Sequence, residues 1–230
     1  MKLLALDTSS EGCSAALLIN GQLTDRFELA PRGHTRLLMP MIRALLAEQG
    51  LAATDLDALA FARGPGSFTG LRIATGVVQG LAYGLGCPVV PVSSLAAVAL
   101  QAARGGHCAD NAQVAVAFDA RMDEVYLGCY QLVAGMPQAL ATEQVCPPDH
   151  ISLPTAGDWF GAGSGWQFLA SMPADVQQQV TVAEQVLQPR AAEVALLAAV
   201  AYQAGETVSA AEAQPVYLRD EVAWKKLPGR

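Results

Sequence analysis

Apolar and polar positions alternate in short blocks at the start of the chain. Leu3-Leu4-Ala5-Leu6 is followed by the polar turn Asp7-Thr8-Ser9-Ser10-Glu11-Gly12, an apolar run over 13–19, the pair Asn20-Gly21 and a third run over 22–30. This order predicts a three-stranded meander. Its second connection is a type I′ hairpin, because Asn-Gly accepts two successive residues of positive φ. Leu37, Leu38, Met41, Ile42, Leu45 and Leu46 then recur at helical spacing, giving one apolar face of about four turns that Gly50 ends. That stripe reads as an ordinary core-facing helix.

A buried strand over 58–62 feeds the loop Gly64-Pro65-Gly66-Ser67-Phe68-Thr69-Gly70, and residues 71–85 have helical length and composition, so strand, glycine loop and helix form a βα unit. Within that helix Gly76, Gly80 and Gly84 are four apart and share a face, although each costs about 1 kcal/mol relative to Ala. Something must approach the face closely, either a helix of the same domain or a helix of a partner subunit. A strand over 88–92 and a helix over 95–104, capped by Ser93 or Ser94 and ended by Gly105-Gly106, complete a first domain of residues 1–104.

Residues 105–230 form the second domain, whose last helices can pack back on the first. Strands over 113–118 and 124–132 flank the turn Asp119-Ala120-Arg121-Met122-Asp123 and repeat the opening pattern. Leu4-Ala5-Leu6-Asp7 and Val116-Ala117-Phe118-Asp119 stand 112 residues apart, each an apolar strand ending in Asp, which points to an internal duplication. Further on come the glycine run Gly161-Ala162-Gly163-Ser164-Gly165, a short helix near 166–171, a helix over 189–204 with Pro189 in its first turn, and the strand-like Val216-Tyr217-Leu218-Arg219.

Composition adds constraints. The chain has 230 residues, 52% hydrophobic and 15% charged, against roughly a quarter charged in ordinary domains. Disorder is excluded, and some apolar surface should be covered by a second subunit. Fourteen basic and 21 acidic residues leave a net charge of −7, so the chain alone has no long-range attraction for phosphate backbones. The basic tail Trp224-Lys225-Lys226-Leu227-Pro228-Gly229-Arg230 reads as a solvated terminus rather than a docking arm. Five scattered cysteines without a C-x-x-C pair fit a reducing compartment. The first apolar run is too short for a signal peptide and no stretch reaches membrane-spanning length, so a cytoplasmic protein without membrane contact is expected.

Candidate chemistry is sparse. His34, His107 and His150 never share a helical metal pattern, and Gly64-Pro65-Gly66-Ser67 lacks the spacing of a hydrolase nucleophile elbow. Two loops are candidates for holding a phosphate: Asp7, Thr8 and Ser9 at the end of the first strand, and Gly64, Gly66 and Ser67 ahead of a helix N-terminus. The second lacks the Lys of a Walker motif, and its glycines can serve only to make a sharp turn.

Leu4-Ala5-Leu6-Asp7-Thr8-Ser9, Gly64-Pro65-Gly66-Ser67-Phe68-Thr69-Gly70-Leu71-Arg72-Ile73, Val92-Ser93-Ser94-Leu95 and Asp119-Ala120-Arg121-Met122-Asp123-Glu124-Val125-Tyr126, with the late Pro215-Val216-Tyr217-Leu218-Arg219, together resemble the bacterial TsaB family, formerly YeaZ. The resemblance spans nearly the whole chain. It implies an α/β fold of the actin-like type shared by sugar kinases and heat-shock ATPases, with two similar subdomains. It also implies a role in making threonylcarbamoyladenosine beside the anticodon of tRNAs that read codons beginning with A. In the paralogue TsaD two metal-binding histidines follow the corresponding strand, and Ser94 and Val98 stand at those positions here.

Neither residue replaces an imidazole, so the resemblance implies a noncatalytic partner of TsaD with no metal or cofactor of its own. It further implies ATP at the complex interface, tRNA bound only through the complex, TsaE as an additional partner, and a homodimer when the chain is alone. The partner surface is then expected on the helices after Arg36 and Leu71, with Met39, Arg43, Arg72, Gly76, Gly80, Tyr83 and Gly84 in the contact and Met39 and Tyr83 exposed. The competing expectation is a stand-alone nucleotide-dependent enzyme, kinase- or ATPase-like or glycopeptidase-like, working in the Asp7 cleft.

Overall fold

Strand alternation sends successive side chains to opposite faces of a sheet, and here both faces are covered. The computed structural model describes residues 1–185 and 187–219. Its first sheet holds β1 (Lys2–Asp7), β2 (Gly12–Ile19), β3 (Gln22–Leu29), β4 (Ala58–Gly64) and β5 (Val89–Ser93), in the order β3-β2-β1-β4-β5. Asn20 at φ 49° and Gly21 at φ 88° make the anticipated turn between β2 and β3. The second sheet holds β6 (Gln113–Arg121), β7 (Glu124–Val133), β8 (Met136–Ala139), β10 (Trp159–Ala162) and β11 (Val180–Val182) in the order β11-β10-β6-β7-β8, with β9 (Gln144–Cys146) beside β7.

Both sheets therefore consist of an antiparallel three-stranded meander extended from its first strand by two parallel strands. The letters that repeat at Asp7 and Asp119 are the ends of equivalent strands, β1 and β6. Even the local turn recurs: Asp7 Oδ1 accepts the Ser9 amide at 3.1 Å, and Asp119 Oδ1 accepts the Arg121 amide at 2.8 Å. The chain has an α/β fold of two halves with matching sheet topology.

Among the described residues five α-helices cover the sheets: α1 (His34–Glu48), α2 (Phe68–Leu85), α3 (Ser94–Arg104), α4 (Ala174–Gln179) and α5 (Ala191–Gln203). On one side of the first sheet, Leu4, Leu6, Leu17, Leu59 and Phe61 pack with Leu38, Ile42 and Leu45 of α1 and Val78 of α2. On the other side Ala5, Ala16, Ala58, Ala60 and Ala62 meet Ala191, Ala195 and Ala198 of α5, and small side chains on both partners let helix and sheet backbones come close. Helix α3 follows the first sheet in sequence but packs Leu95, Val98 and Ala102 on Val114, Val116 and Leu132 of the second. Each half thus lends a helix to the middle layer, and α1 and α2 are left outermost.

Three boundaries differ from the sequence reading. Helix α2 starts at Phe68 rather than near 71, because the Ser67 hydroxyl accepts the Gly70 amide at 3.3 Å and caps it. Helix α5 starts at Ala191, since Arg190 is still extended at φ −135° and Pro189 precedes it. Residues 216–219 are not a strand: Val216 makes one backbone bond, to Arg63 O at 2.8 Å, and the chain passes on across α2. The stretch after Gly163 is a 3-10 helix, Ser164–Ser171. The basic tail singled out above, 224–230, lies outside the described residues. Among the described residues no helix is long and apolar enough to cross a membrane.

The exchanged helices are joined by an ion pair between Arg104 of α3 and Glu193 of α5. Glu193 is buried, and its Oε2 has no partner. Burial pushes its carboxyl above the usual range while Arg104 pulls it down. Arg104→Met removes the ion-pair partner of this buried charge and leaves only the more distant pull of Arg190. The variant should lose about 2 kcal/mol at pH 7 in urea unfolding. A carboxyl held above its unfolded value costs stability as pH rises, so the deficit should shrink as pH is lowered toward 4.5.

Candidate functional site

The two loops read as phosphate cradles lie against each other. Thr8 Oγ1 donates to Gly70 O at 2.7 Å, and the Ser67 amide donates to Ser9 O at 2.7 Å. A Cβ on Gly66 would sit 2.4 Å from Ser9 O, and one on Gly70 would sit 1.8 Å from Thr8 O. Only glycine lets the two backbones meet at this distance. Gly64 has φ +110°, and a Cβ there would fall 2.8 Å from Val216 O. The contact spends the Thr8 hydroxyl and the Ser67 amide within the chain, and it leaves Asp7, Thr8 and Ser9 buried while Ser67 stays exposed.

Asp7 is the anomaly in this contact. Its Oδ1 also accepts the Ser9 hydroxyl at 2.6 Å, but its Oδ2 has no partner. Burial pushes the carboxyl up to about 7, against the opposing pull of the Ser9 bonds. Neighbouring Cys13 is pushed up to about 11 by burial and by the negative charge of Asp7 and Glu28, which makes it a poor nucleophile.

At the N-terminus of α3, Ser93 caps the helix by accepting the Leu95 and Ala96 amides at 3.1 and 3.2 Å. Glu143, which sequence reasoning missed, accepts the Ser93 hydroxyl and the Tyr130 hydroxyl, the latter at 2.7 Å. A carboxylate of the second half thus sits at the positive end of a helix from the first. Burial and Glu143 hold the Tyr130 phenol well above its ordinary value. Ser94 and Val98 are fully buried, and Val98 packs on the second sheet. Among the described residues no group of three His, Cys, Asp or Glu side chains suited to a metal occurs.

The remaining sequence-predicted residues lie on the outer face of α1 and α2. Among the described residues, and apart from the backbone of α2 itself, nothing lies within 4 Å of where a Cβ would stand on Gly76, Gly80 or Gly84, so no described helix covers the stripe. Tyr83 beside it is 87% exposed. Arg43 and Arg72 are exposed, as is Arg36, and none of the three pairs with a carboxylate among the described residues. Met39 corrects the reading: it is half-buried against the core under α1 rather than exposed, because it falls beside the stripe that begins at Leu38. Phe68 and Tyr217, at 53% and 42% exposure, extend the face and were not singled out. The four-residue step from Phe68 to Arg72 was the available signal, but nothing local in the sequence brings Tyr217 to it.

Two glycines with opposite surroundings give a paired test. Gly70→Ala should cost about 3 kcal/mol or prevent folding, because its Cβ meets backbone. Gly80→Ala should stabilise the isolated chain by about 0.5–1 kcal/mol, because its Cβ meets nothing and Ala is the better helix former. Urea unfolding followed by circular dichroism reads both. For Asp7 the linkage runs from the unfolded 3.8 to about 7 in the fold, so its stabilising protonated form is lost as pH rises through 7. Asp7→Asn should therefore flatten the decline of stability between pH 4 and 8 and be more stable than the parent at pH 8, as thermal melts across that range would show.

Comparison with known proteins agrees with this geometry. The family profile described as TsaD, tRNA N6-adenosine threonylcarbamoyltransferase, matches residues 27–227. A Haemophilus influenzae protein named tRNA threonylcarbamoyladenosine biosynthesis protein TsaB is 45% identical over 241 aligned positions, covering 100% of this chain and 98% of that one. The Escherichia coli protein of the same name is 41% identical, with 100% of both chains covered. The solved structure of YeaZ from Pseudomonas aeruginosa superposes with a TM-score of 0.88 at 49% identity, over 94% of this chain and 99% of that one. With identity of this order along its whole length, the chain belongs to the TsaB, or YeaZ, family.

Proposed function

We propose that the chain serves tRNA threonylcarbamoyladenosine biosynthesis as a noncatalytic partner of the TsaD subunit, docking through the outer face of α1 and α2. The observation that carries this reading is the open stripe Gly76, Gly80 and Gly84, a helix surface on which three glycines have no packing neighbour among the described residues. Those glycines weaken the helix without any return in the monomer, and a close helix of a second subunit accounts for them. Exposed Tyr83 supplies the aromatic anchor such interfaces favour, and unpaired Arg36, Arg43 and Arg72 supply charge for a complementary acidic face. Without TsaD the same face pairs two copies of this chain.

The burial of Ser94 and Val98 supports a subunit that leaves the transfer itself to TsaD. The mutual engagement of Thr8, Ser67 and Gly70 leaves little in the Asp7 loop to cradle a phosphate, which supports a reading with ATP at the complex interface rather than in this chain. TsaE joins the assembly, tRNA binds through the complex as a whole, and the work is done in the cytoplasm. The net charge of −7 fits a subunit that leaves phosphate contacts to others.

Gly80→Leu should weaken the complex with TsaD by about tenfold or more while leaving the fold of the isolated chain intact, as titration calorimetry and circular dichroism would record. In a reconstitution with TsaD, TsaE, the threonylcarbamoyl-adenylate synthase and ATP, nucleoside mass spectrometry of the tRNA should show modification that requires this chain. Modification of equal extent without it would sink the partner reading and turn attention to an activity in the Asp7 cleft.

A further inference from the structure

Beside the open stripe, residues 213–217 cross α2 and leave a cavity of about 250 Å³ between Arg72, Gly76 and Gln79 of the helix and Gln214, Pro215 and Tyr217 of the crossing segment. The segment is pinned at both ends of the crossing. Gln79 Nε2 donates to Ala213 O at 2.9 Å, and the Val216 amide donates to Arg63 O at 2.8 Å. Arg72 is gripped from two sides. Its guanidinium carbon lies 3.9 Å from the centre of the Phe68 ring, and its Nε donates to the Tyr217 hydroxyl at 3.1 Å. The two rings stand 5.4 Å apart, so each steadies the other.

This grip uses one of five guanidinium donors and leaves the terminal nitrogens free to receive a planar acceptor. Helix α2 carries no acidic residue over its 18 positions, and no carboxylate among the described residues pairs with Arg72. An arginine whose stem is already fixed has lost much of the freedom that binding would otherwise remove, so its contact with an anion is worth more. Gly76 belongs both to the cavity and to the glycine stripe. A helix laid along the stripe therefore passes the cavity mouth.

We propose that the cavity receives an Asp or Glu side chain from the helix that docks on Gly76 and Gly80, with Arg72 as its anchor and Phe68 and Tyr217 as positioning residues. The inference rests on the docking face proposed above and names the chemistry of the partner there: a carboxylate within one side chain's reach of a helix backbone. The chain's own C-terminal segment is then part of the interface, although no pattern in the sequence connects it to α2.

The test measures the affinity of the complex with TsaD at several salt concentrations for the parent chain, Arg72→Gln, Tyr217→Phe and Gly80→Leu, with circular dichroism of each. Arg72→Gln should weaken binding about 30-fold and reduce the dependence of affinity on salt. Tyr217→Phe keeps the ring on Phe68 and removes only the hydroxyl that aims Arg72, and it should weaken binding about threefold with an unchanged fold. If Gly80→Leu breaks the complex while Arg72→Gln stays within twofold of the parent and keeps its salt dependence, the anchor is wrong and the docking face stands. If the parent forms no complex, or neither variant changes it, both fall. A loss confined to tRNA binding, with the protein complex unaffected, would also overturn the anchor and make a phosphate the occupant.

Discussion

The structure depends on one backbone-to-backbone contact, between the exit of β1 and the loop that starts α2. Gly66 and Gly70 let this loop press on the carbonyls of Ser9 and Thr8, and the Thr8 hydroxyl and Ser67 amide close the junction with hydrogen bonds. The contact sets where α2 begins and how it is rotated about its axis. Val78 and Ala82 are thereby turned to the sheet and Gly76, Gly80 and Gly84 to the outside. Residues of the type found in phosphate loops here serve as a splice. The cost is visible at Asp7, a buried carboxyl with one unpartnered oxygen.

The exchange of α3 and α5 between the halves is the second constraint. Each helix leaves its own sheet, packs on the other half's sheet and meets its counterpart, and the pair is fastened by Arg104 and Glu193. Glu143 adds a further tie by reaching the cap of α3 from the second half. With the inner sides so occupied, the face that stays uncovered among the described residues is the outer one, on α1 and α2. The clasp of Arg219 on Glu124 and on the carbonyls of Ala120 and Arg121 carries the end of the described chain over to the second half.

Charge is distributed with the same asymmetry. The chain is acidic overall, yet its outer helices show Arg36, Arg43 and Arg72, while Glu48, the acidic residue of α1, is engaged by Arg26. A basic face on an acidic chain is complementary to a surface of opposite charge. In the proposed docking the glycine stripe and the arginines act on different terms: close approach of backbones for the first, orientation and selectivity for the second.

Local pattern alone determined much of this protein. The meander, the Asn20-Gly21 hairpin, the face of α1 and the repeat at Asp7 and Asp119 are legible because alternation, turn chemistry and helical spacing are properties of neighbours in sequence. The glycine face of α2 was legible as a question, since three glycines in a helix require an explanation, but the sequence did not say whether the chain itself covers them. Tertiary structure decided that no described residue does. It also decided that the Asp7 and Gly64 loops engage each other, that Met39 belongs under its helix, and that residues 213–217 cross α2 to fix Arg72. Each of these depends on which surfaces meet across separations of about sixty residues or more, or on the exact rotation of a helix. Periodicity specifies that a face is apolar or small, and only packing specifies what lies against it.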